Sequence, residues 1–334
     1  MNPLLSIGIT SYNRVNELVR CINSIQTKYK EDIEIVVSED NSPQSKQIEE
    51  TVNKLAENCD YNLRFSRNEV NLGYDMNLGA IIQKCNGDYV FFMSDDDMVY
   101  EGCIDGIIEF LKNIGSFGVL YAPFVYAETK KLDRNHGIEH DIESGEENAA
   151  RYLYDSILFS GLIFKKSYVA GYDSSRFINH NYFQVYMFMR MIYEYGGHYF
   201  KSPTVVCVGD GENAYGISES SGGNALLANR KSIKSNLEFN KTLFEVVKKF
   251  DIDCGTNVFS IFQKQYSLHS YSGLSIARSQ GRKYFNEYWE MLQQLDIKLY
   301  PVAHVYHFLL YILGKRTCDK LLSGIRSKLK RDSL

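Results

Sequence analysis

Tyr89-Val90-Phe91-Phe92-Met93-Ser94-Asp95-Asp96-Asp97 is the stretch that decides the fold of this chain. Its first five residues form a short apolar run, the pattern of a strand buried on both faces of a largely parallel sheet. Three carboxylates at the carboxyl end of such a strand repel one another unless a cation sits among them. The crevice outside the carboxyl ends of the strands is also where open α/β sheets bind ligands. Oxygen donors of this kind suit a hard divalent ion, Mn²⁺ or Mg²⁺, shared with substrate phosphates. A solvated acidic turn capping a helix that begins near Gly102 is the other reading of the same residues.

Outward from this run, strand and helix patterns alternate, which predicts a doubly wound α/β domain. Residues 4–10 read as a strand, after which Val15, Leu18, Ile22 and Ile25 recur at helical spacing with Asn13 as N-cap. Strands are expected over 33–38 and 62–66, and a helix over 76–84 leads into the Asp-rich strand. A helix near 102–112 and a strand near 118–122 follow. From about 126 to 148 the pattern dissolves into polar residues, a surface excursion, until Leu162-Ile163-Phe164 restores a strand. The glycine-rich residues 209–224 read as a mobile loop, and helical periodicity runs from about 229 to the end. The expected division is an α/β domain over 1–203, a loop over 204–228 and a helical region over 229–334.

Composition narrows the function classes. A hydrophobic fraction of 44% and a charged fraction of 23% suit a globular chain, and a net charge of -4 gives no reason to expect nucleic acid as partner. Cys21, Cys59, Cys85, Cys103, Cys207, Cys254 and Cys318 show no CxxC spacing, so reduced cytoplasmic thiols are expected rather than a zinc site or a disulfide framework. No secretory-signal pattern opens the chain. The longest apolar run, 302–313, is interrupted by His304 and His307 and reaches about half a bilayer span.

Three further motifs precede the Asp cluster. Ser11-Tyr12-Asn13-Arg14 closes the first strand, where Tyr12 can stack a planar base and Arg14 can meet a phosphate. Asp40 closes the second strand, where a carboxylate can accept hydrogen bonds from a base or ribose or can cap the next helix. In Asn71-Leu72-Gly73-Tyr74-Asp75-Met76-Asn77, Gly73 permits close backbone approach and Asn77 lies one helical turn further on. Asp75 is favoured at a helix start by the helix dipole, with or without a functional partner.

Strand-SYNR, strand-ED-turn, NxGxDxN and an Asp triplet after an aromatic strand, in that order with helix-sized gaps, resemble the family-2 glycosyltransferases of the GT-A fold. The resemblance covers about residues 4–201 and is nearest to abequosyltransferase-like bacterial polysaccharide sugar transferases. It implies a mostly parallel, Rossmann-like GT-A sheet carrying a helical C-terminal region. It implies inverting transfer of a hexosyl or deoxyhexosyl group from a nucleoside-diphosphate sugar, with uridine diphosphate as default carrier. The acceptor would be a saccharide or lipid-linked saccharide of O-antigen or capsule synthesis. By the same resemblance Ser11, Tyr12 and Arg14 line the nucleotide pocket, Asp40 reads the base, and Asn71, Gly73, Asp75 and Asn77 border ribose and diphosphate. Asp95, Asp96 and Asp97 cover the metal and diphosphate motif, with Asp96 and Asp97 as the ligand pair because Ser94 stands where the family has its usual first Asp. Ser160-Gly161-Leu162-Ile163-Phe164 resembles the strand that flanks the acceptor.

The chain departs from the family in two places. It has no Arg at 75–76, and the family's Glu-Asp base pair, expected near 177–183, is replaced by Phe177-Ile178-Asn179-His180-Asn181-Tyr182-Phe183. A neutral imidazole can take a hydroxyl proton, which makes His180 the candidate base and Asp173 the second candidate. Residues 209–216 and Gly222-Gly223 suit a loop that closes over bound donor, or a connector to the tail. Lys315, Arg316, Lys320, Arg326, Lys328, Lys330 and Arg331, with Leu321, Leu322, Ile325 and Leu329 on one helical face, suit an anionic membrane surface or a second subunit. A cytoplasmic protein, peripheral on the inner face of the membrane, is the expected setting. A metal-dependent nucleotidyltransferase or a non-catalytic nucleotide-sugar-binding relative are the other classes. The first lacks its basic glycine-rich loop here, and a dehydrogenase its GxGxxG.

Overall fold

Continuous apolar character over Leu5–Ser11 (β1), Ile33–Glu39 (β2) and Tyr89–Ser94 (β4), with the more exposed Asn62–Arg67 (β3), builds four parallel strands in the spatial order β3-β2-β1-β4. This computed structural model describes residues 2–113, 117–210 and 233–331, with side chains over 236–321 in the last segment. Most of the expected glycine-rich loop, residues 211–232, lies outside the described residues. The chain divides into two compact units, Met1–Ala225 and Leu226–Leu334.

In the first unit the sheet continues from β4 through Ile163–Lys165 (β10), Val119–Tyr121 (β6), Gly197–Tyr199 (β11) and His140–Ile142 (β9), making eight strands. The strand β10 runs antiparallel to both β4 and β6. The helices Val15–Asn23 (α1), Ser45–Glu57 (α2) and Cys103–Asn113 (α4) cover one face, where Leu18, Ile48 and Ile107 join Ile7, Phe91 and Met93 in one buried cluster. Tyr74–Lys84 (α3) and Phe183–Tyr195 (α7) are the other helices that shape the site. Chain order reverses between β1 and β4, since β2 and β3 lie on one side of β1 and β4 on the other. Such a switch point opens a crevice at the carboxyl ends of the two strands, and Ser11 and Ser94 flank it.

Three expectations need correction. Asn13 is not the N-cap of α1: Arg14 holds that position, and Asn13 takes a left-handed turn with φ 59°. The stretch read as a surface excursion supplies β9 at the edge of the main sheet and Leu132–Asp133 (β8) of a second sheet, whose other strands are Phe124–Tyr126 (β7), Met98–Val99 (β5) and Val205–Cys207 (β12). These strands are two or three residues long, too short for polar alternation to announce them. The tail helix breaks at Gly314, whose φ of 74° interrupts Pro301–Arg331.

The second unit is helical: Ile233–Cys254 (α8), Val258–His269 (α9), Tyr271–Ser279 (α10), Arg282–Gln293 (α11) and Pro301–Arg331 (α12). Phe250, Phe262, Leu274, Phe285, Leu292 and Leu310 are buried there. His307 interrupts the apolar run without facing water freely, because its ring stacks on Trp289 at 4.2 Å and on Phe285 at 4.9 Å. That burial holds its pKa below the usual imidazole value. Among the described residues no helix is long and apolar enough to cross a membrane.

Candidate active site

The cation demanded by three adjacent carboxylates is Arg14. Its Nη1 lies 2.8 Å from Asp95 Oδ1 and 3.3 Å from Asp96 Oδ2, so the turn after β1 clamps the turn after β4 across the switch point. The Tyr12 N–H donates to the second Asp95 oxygen at 3.1 Å. Burial pushes Asp95 up to about 6 despite the Arg14 charge beside it. A cleft of ≈ 350 Å³ opens next to this clamp, between residues 13–17 and Gln44 and Gln47 of α2.

The three aspartates are unlike one another. Asp97 is buried, accepting the Ser160 hydroxyl at 2.6 Å and the Val208 N–H at 3.1 Å, one on each oxygen. Burial first, then the neighbouring Asp96 charge, pushes it up to about 6. Asp96 is 16% exposed and accepts the Ser94 hydroxyl on the oxygen that does not face Arg14. Among the described residues no three His, Cys, Asp or Glu side chains form a group able to hold an ion alone. The arrangement does fit Mg²⁺ or Mn²⁺ carried largely by substrate phosphates, which need only one or two protein carboxylates. Of the expected pair Asp96 has the solvent access to serve, and Asp97 holds Ser160 against β4.

Asp40 is likewise turned inward. It accepts the Leu72 N–H at 2.8 Å, the Gly73 N–H at 2.8 Å and Asn68 Nδ2 at 2.8 Å, which fastens the loop over 68–73 onto the end of β2. Asn71 Oδ1 adds a bond to the same Gly73 N–H at 3.0 Å, and the φ of 78° at Gly73 explains the glycine there. Asn77 is buried and ties α3 to β2 by accepting the Ser38 hydroxyl at 2.7 Å and Asn68 Nδ2 at 3.0 Å. Asp75 reaches away from β1 and β2 altogether: it accepts the N–H of Asn181 at 2.8 Å and of Phe183 at 2.9 Å, the start of α7. Only 2% exposed, it is pushed by burial up to about 7.

Asp75 thus grips the segment that carries the candidate base. His180 is half-buried, and its Nδ1 lies 3.1 Å from the Ile178 carbonyl, which makes Nδ1 the donor and Nε2 the basic nitrogen. Asp173 caps the 3₁₀ turn Ser174–Phe177 by accepting the Ser175 N–H at 2.9 Å, which holds its carboxyl below the usual range. Gln184, in the first turn of α7, is buried and donates to the Ile157 carbonyl at 3.3 Å, while its Oε1 has no partner among the described residues. Gly161, with φ 89°, donates its N–H to the Phe92 carbonyl at 3.0 Å and brings the Ser160 segment against β4.

Two groups were passed over in the sequence. Glu39, beside Asp40, is fully buried with its pKa raised by that burial, and Ser11 stands opposite it in register. Glu39 Oε1 accepts the Ser42 N–H at 2.8 Å, Oε2 has no partner among the described residues, and the Ser11 hydroxyl bonds to Asp95. The second acid of an ED pair closing a strand was the available signal, read for Asp40 alone. Arg20 of α1 grips Asp210 through both terminal nitrogens at 2.6 Å and donates to the Asp96 carbonyl at 2.9 Å. Nothing in the local pattern marks a contact 190 residues apart.

The profile of Glycosyl transferase family 2 matches residues 6–186, which spans β1 to the first turn of α7 and so contains this whole crevice. The chain belongs to that family. It is 26% identical over 228 residues to abequosyltransferase RfbV of Salmonella typhimurium, covering 63% of this chain and 68% of the relative. A Campylobacter jejuni protein, GalNAc(5)-diNAcBac-PP-undecaprenol beta-1,3-glucosyltransferase, is 26% identical over 168 residues, 49% of this chain and about half, 52%, of its own length. Among solved structures, S. aureus TarS 1–349 with UDP-GlcNAc superposes with TM-score 0.54 at 17% identity, covering 97% of this chain and 92% of that one. The Pyrobaculum calidifontis mannosyltransferase PcManGT with GDP-Man and Mn2+ gives 0.50 at 14% identity, covering 95% and 87%. These likenesses establish the GT-A fold expected from the sequence.

Proposed function

We propose that this chain is an inverting glycosyltransferase. It moves a hexosyl or deoxyhexosyl group from a nucleoside-diphosphate donor to a saccharide or lipid-linked saccharide acceptor, in the synthesis of a bacterial surface polysaccharide such as O-antigen or capsule. The observation that carries the reading is the Arg14–Asp95–Asp96 clamp at the β1/β4 switch point beside an open cleft. The nucleoside would lie in that cleft, bordered by Asn13, Arg14, Gln44 and Gln47.

Mn²⁺ or Mg²⁺ at Asp96 would supply charge stabilisation for the departing diphosphate. Arg14 pairs with Asp95 and Asp96 at close quarters and sets the turn in place. His180 would take the proton from the acceptor hydroxyl as that oxygen attacks the anomeric carbon from the face opposite the leaving group. Asp173, with a lowered pKa and a capping role, is the weaker base. The name of the Campylobacter relative supports a lipid-linked saccharide acceptor, and that of the Salmonella relative supports glycosyl transfer. A lipid-linked acceptor would place the protein at the cytoplasmic face of the membrane.

The test is release of nucleoside diphosphate from a panel of nucleotide-sugars, with and without acceptor and Mn²⁺. Acceptor-dependent release by the native chain and its loss in His180→Ala, with donor binding retained, is the expected result. Pyrophosphate release from a nucleoside triphosphate would make the protein a nucleotidyltransferase, and tight donor binding without any turnover would make it a binding relative.

A further inference from the structure

A helix on the surface of a folded unit ordinarily turns charged or polar residues outward. The first arm of α12, from Pro301 to the break at Gly314, does not. Residues 301–313 contain no Lys, Arg, Asp or Glu. Ala303 and Leu310 are buried against the second unit, yet Val305, Phe308, Leu309 and Ile312, spaced i, i+3, i+4, i+7, are each between 36% and 60% exposed. These four lie on the helix side opposite Ala303 and Leu310, since positions 305, 308, 309 and 312 fall within about 100° on a 3.6-residue helix. Tyr311 and Leu313 widen the exposed apolar surface. The arm is thus uncharged, with exposed His304 to one side of an outer apolar stripe that is uncovered among the described residues.

We infer that this stripe docks the protein on an anionic lipid surface, lying in the plane of the headgroup boundary. Two observations select that occupant over a second copy of the chain. Thirteen residues make about 20 Å of helix, too short to span a hydrocarbon core of about 30 Å but suited to lie in its boundary. In sequence the break at Gly314 is then followed by Lys315, Arg316, Lys320, Arg326, Lys328, Lys330 and Arg331 against two acids, Asp319 and Asp332. Arg316 and Lys320 are exposed, and Lys315 is paired with Asp319 at 2.5 Å. An anionic headgroup layer matches this sequence of apolar stripe and cationic run, whereas a parallel pairing of copies along the same arm brings like charges together. The surface deepens the reading of a lipid-linked acceptor, and its occupancy is measured without turnover.

Co-sedimentation of the full chain with phosphatidylcholine vesicles, and with vesicles containing phosphatidylglycerol, tests it. Binding to the anionic vesicles only, reversed by salt, is expected. Phe308→Ser with Ile312→Ser should abolish pelleting, and Arg316→Ser with Lys320→Ser should weaken it by more than about tenfold. All four positions are exposed, so far-UV circular dichroism and donor affinity should stay at native values in both variants. Equal pelleting of native and Phe308/Ile312 variant chains, or indifference to lipid charge, overturns the proposal. A native dimer in sedimentation velocity that this double variant turns into a monomer, with no vesicle binding, assigns the stripe to a second copy instead. Loss of transferase activity on a water-soluble acceptor would bear on the proposed reaction, not on this surface.

Discussion

Asp75→Asn asks whether a buried carboxylate is kept for stability or for placing the candidate base. The native carboxyl is pushed by burial from 3.8 to about 7 against backbone N–H bonds, those of Asn181 and Phe183 foremost, that favour its charge. Between those values the folded protein holds a proton that the unfolded chain has released. Stability contributed by the neutral acid is therefore complete below about 4 and lost as pH rises through about 7. At about 1.4 kcal/mol per tenfold change in proton affinity, the whole loss is about 4 kcal/mol, of which about 2 kcal/mol falls between pH 5.5 and 8. Asn resembles the neutral acid, with one accepting oxygen and one group that clashes with an N–H, and it does not titrate.

Thermal unfolding of both proteins across that range should show the variant gaining on the native chain by about 4–8 °C between pH 5.5 and 8. The same substitution loosens the hold on residues 181–183, so kcat should fall by about ten- to hundredfold while donor affinity stays unchanged. A variant that is steadier at pH 8 yet slower is the pattern of a group kept for function. Parallel unfolding curves for the two proteins at every pH would refute the burial argument. A loss of donor affinity as large as the loss of kcat would return Asp75 to the donor pocket.

The aspartates of the triplet should separate by readout. Asp96→Asn should remove Mn²⁺-dependent donor affinity with little change in unfolding temperature, whereas Asp97→Asn should cost about 1–3 kcal/mol of stability by facing the Val208 N–H with an amide. Asp40→Ala strips the acceptor from Leu72 N–H, Gly73 N–H and Asn68, so urea unfolding should report a loss of about 3 kcal/mol together with weaker donor binding as the loop over 68–73 is freed.

The long parallel strands and the motifs at their carboxyl ends were legible because each rests on a long local pattern. The apolar run into β4 and the turns closing β1 and β2 each carry their own signal within ten residues. The short strands β7, β8 and β9 were not, since two or three residues cannot show a period, and their pairing is fixed by partners elsewhere in the chain. The helix α7 escaped for the opposite reason. Nine of its thirteen residues are buried, so no polar face marks its period.

For the site, residue type and order pointed to the right neighbourhood, but orientation is a property of the packed chain. A carboxylate has about four lone-pair positions, and once backbone N–H groups fill them it is a fastening rather than a ligand site. Asp40 and Asp97 have donors on both oxygens, from Leu72 and Gly73 in one case and from Ser160 and Val208 in the other. Asp75 is filled from Asn181 and Phe183, more than a hundred residues away. Glu39 keeps an oxygen without a donor among the described residues, and Asp96 keeps contact with solvent. Of those two only Asp96 can offer an oxygen to a ligand, since Glu39 is fully buried. A sequence gives all five the same standing, and only the distant donors that saturate three of them tell them apart.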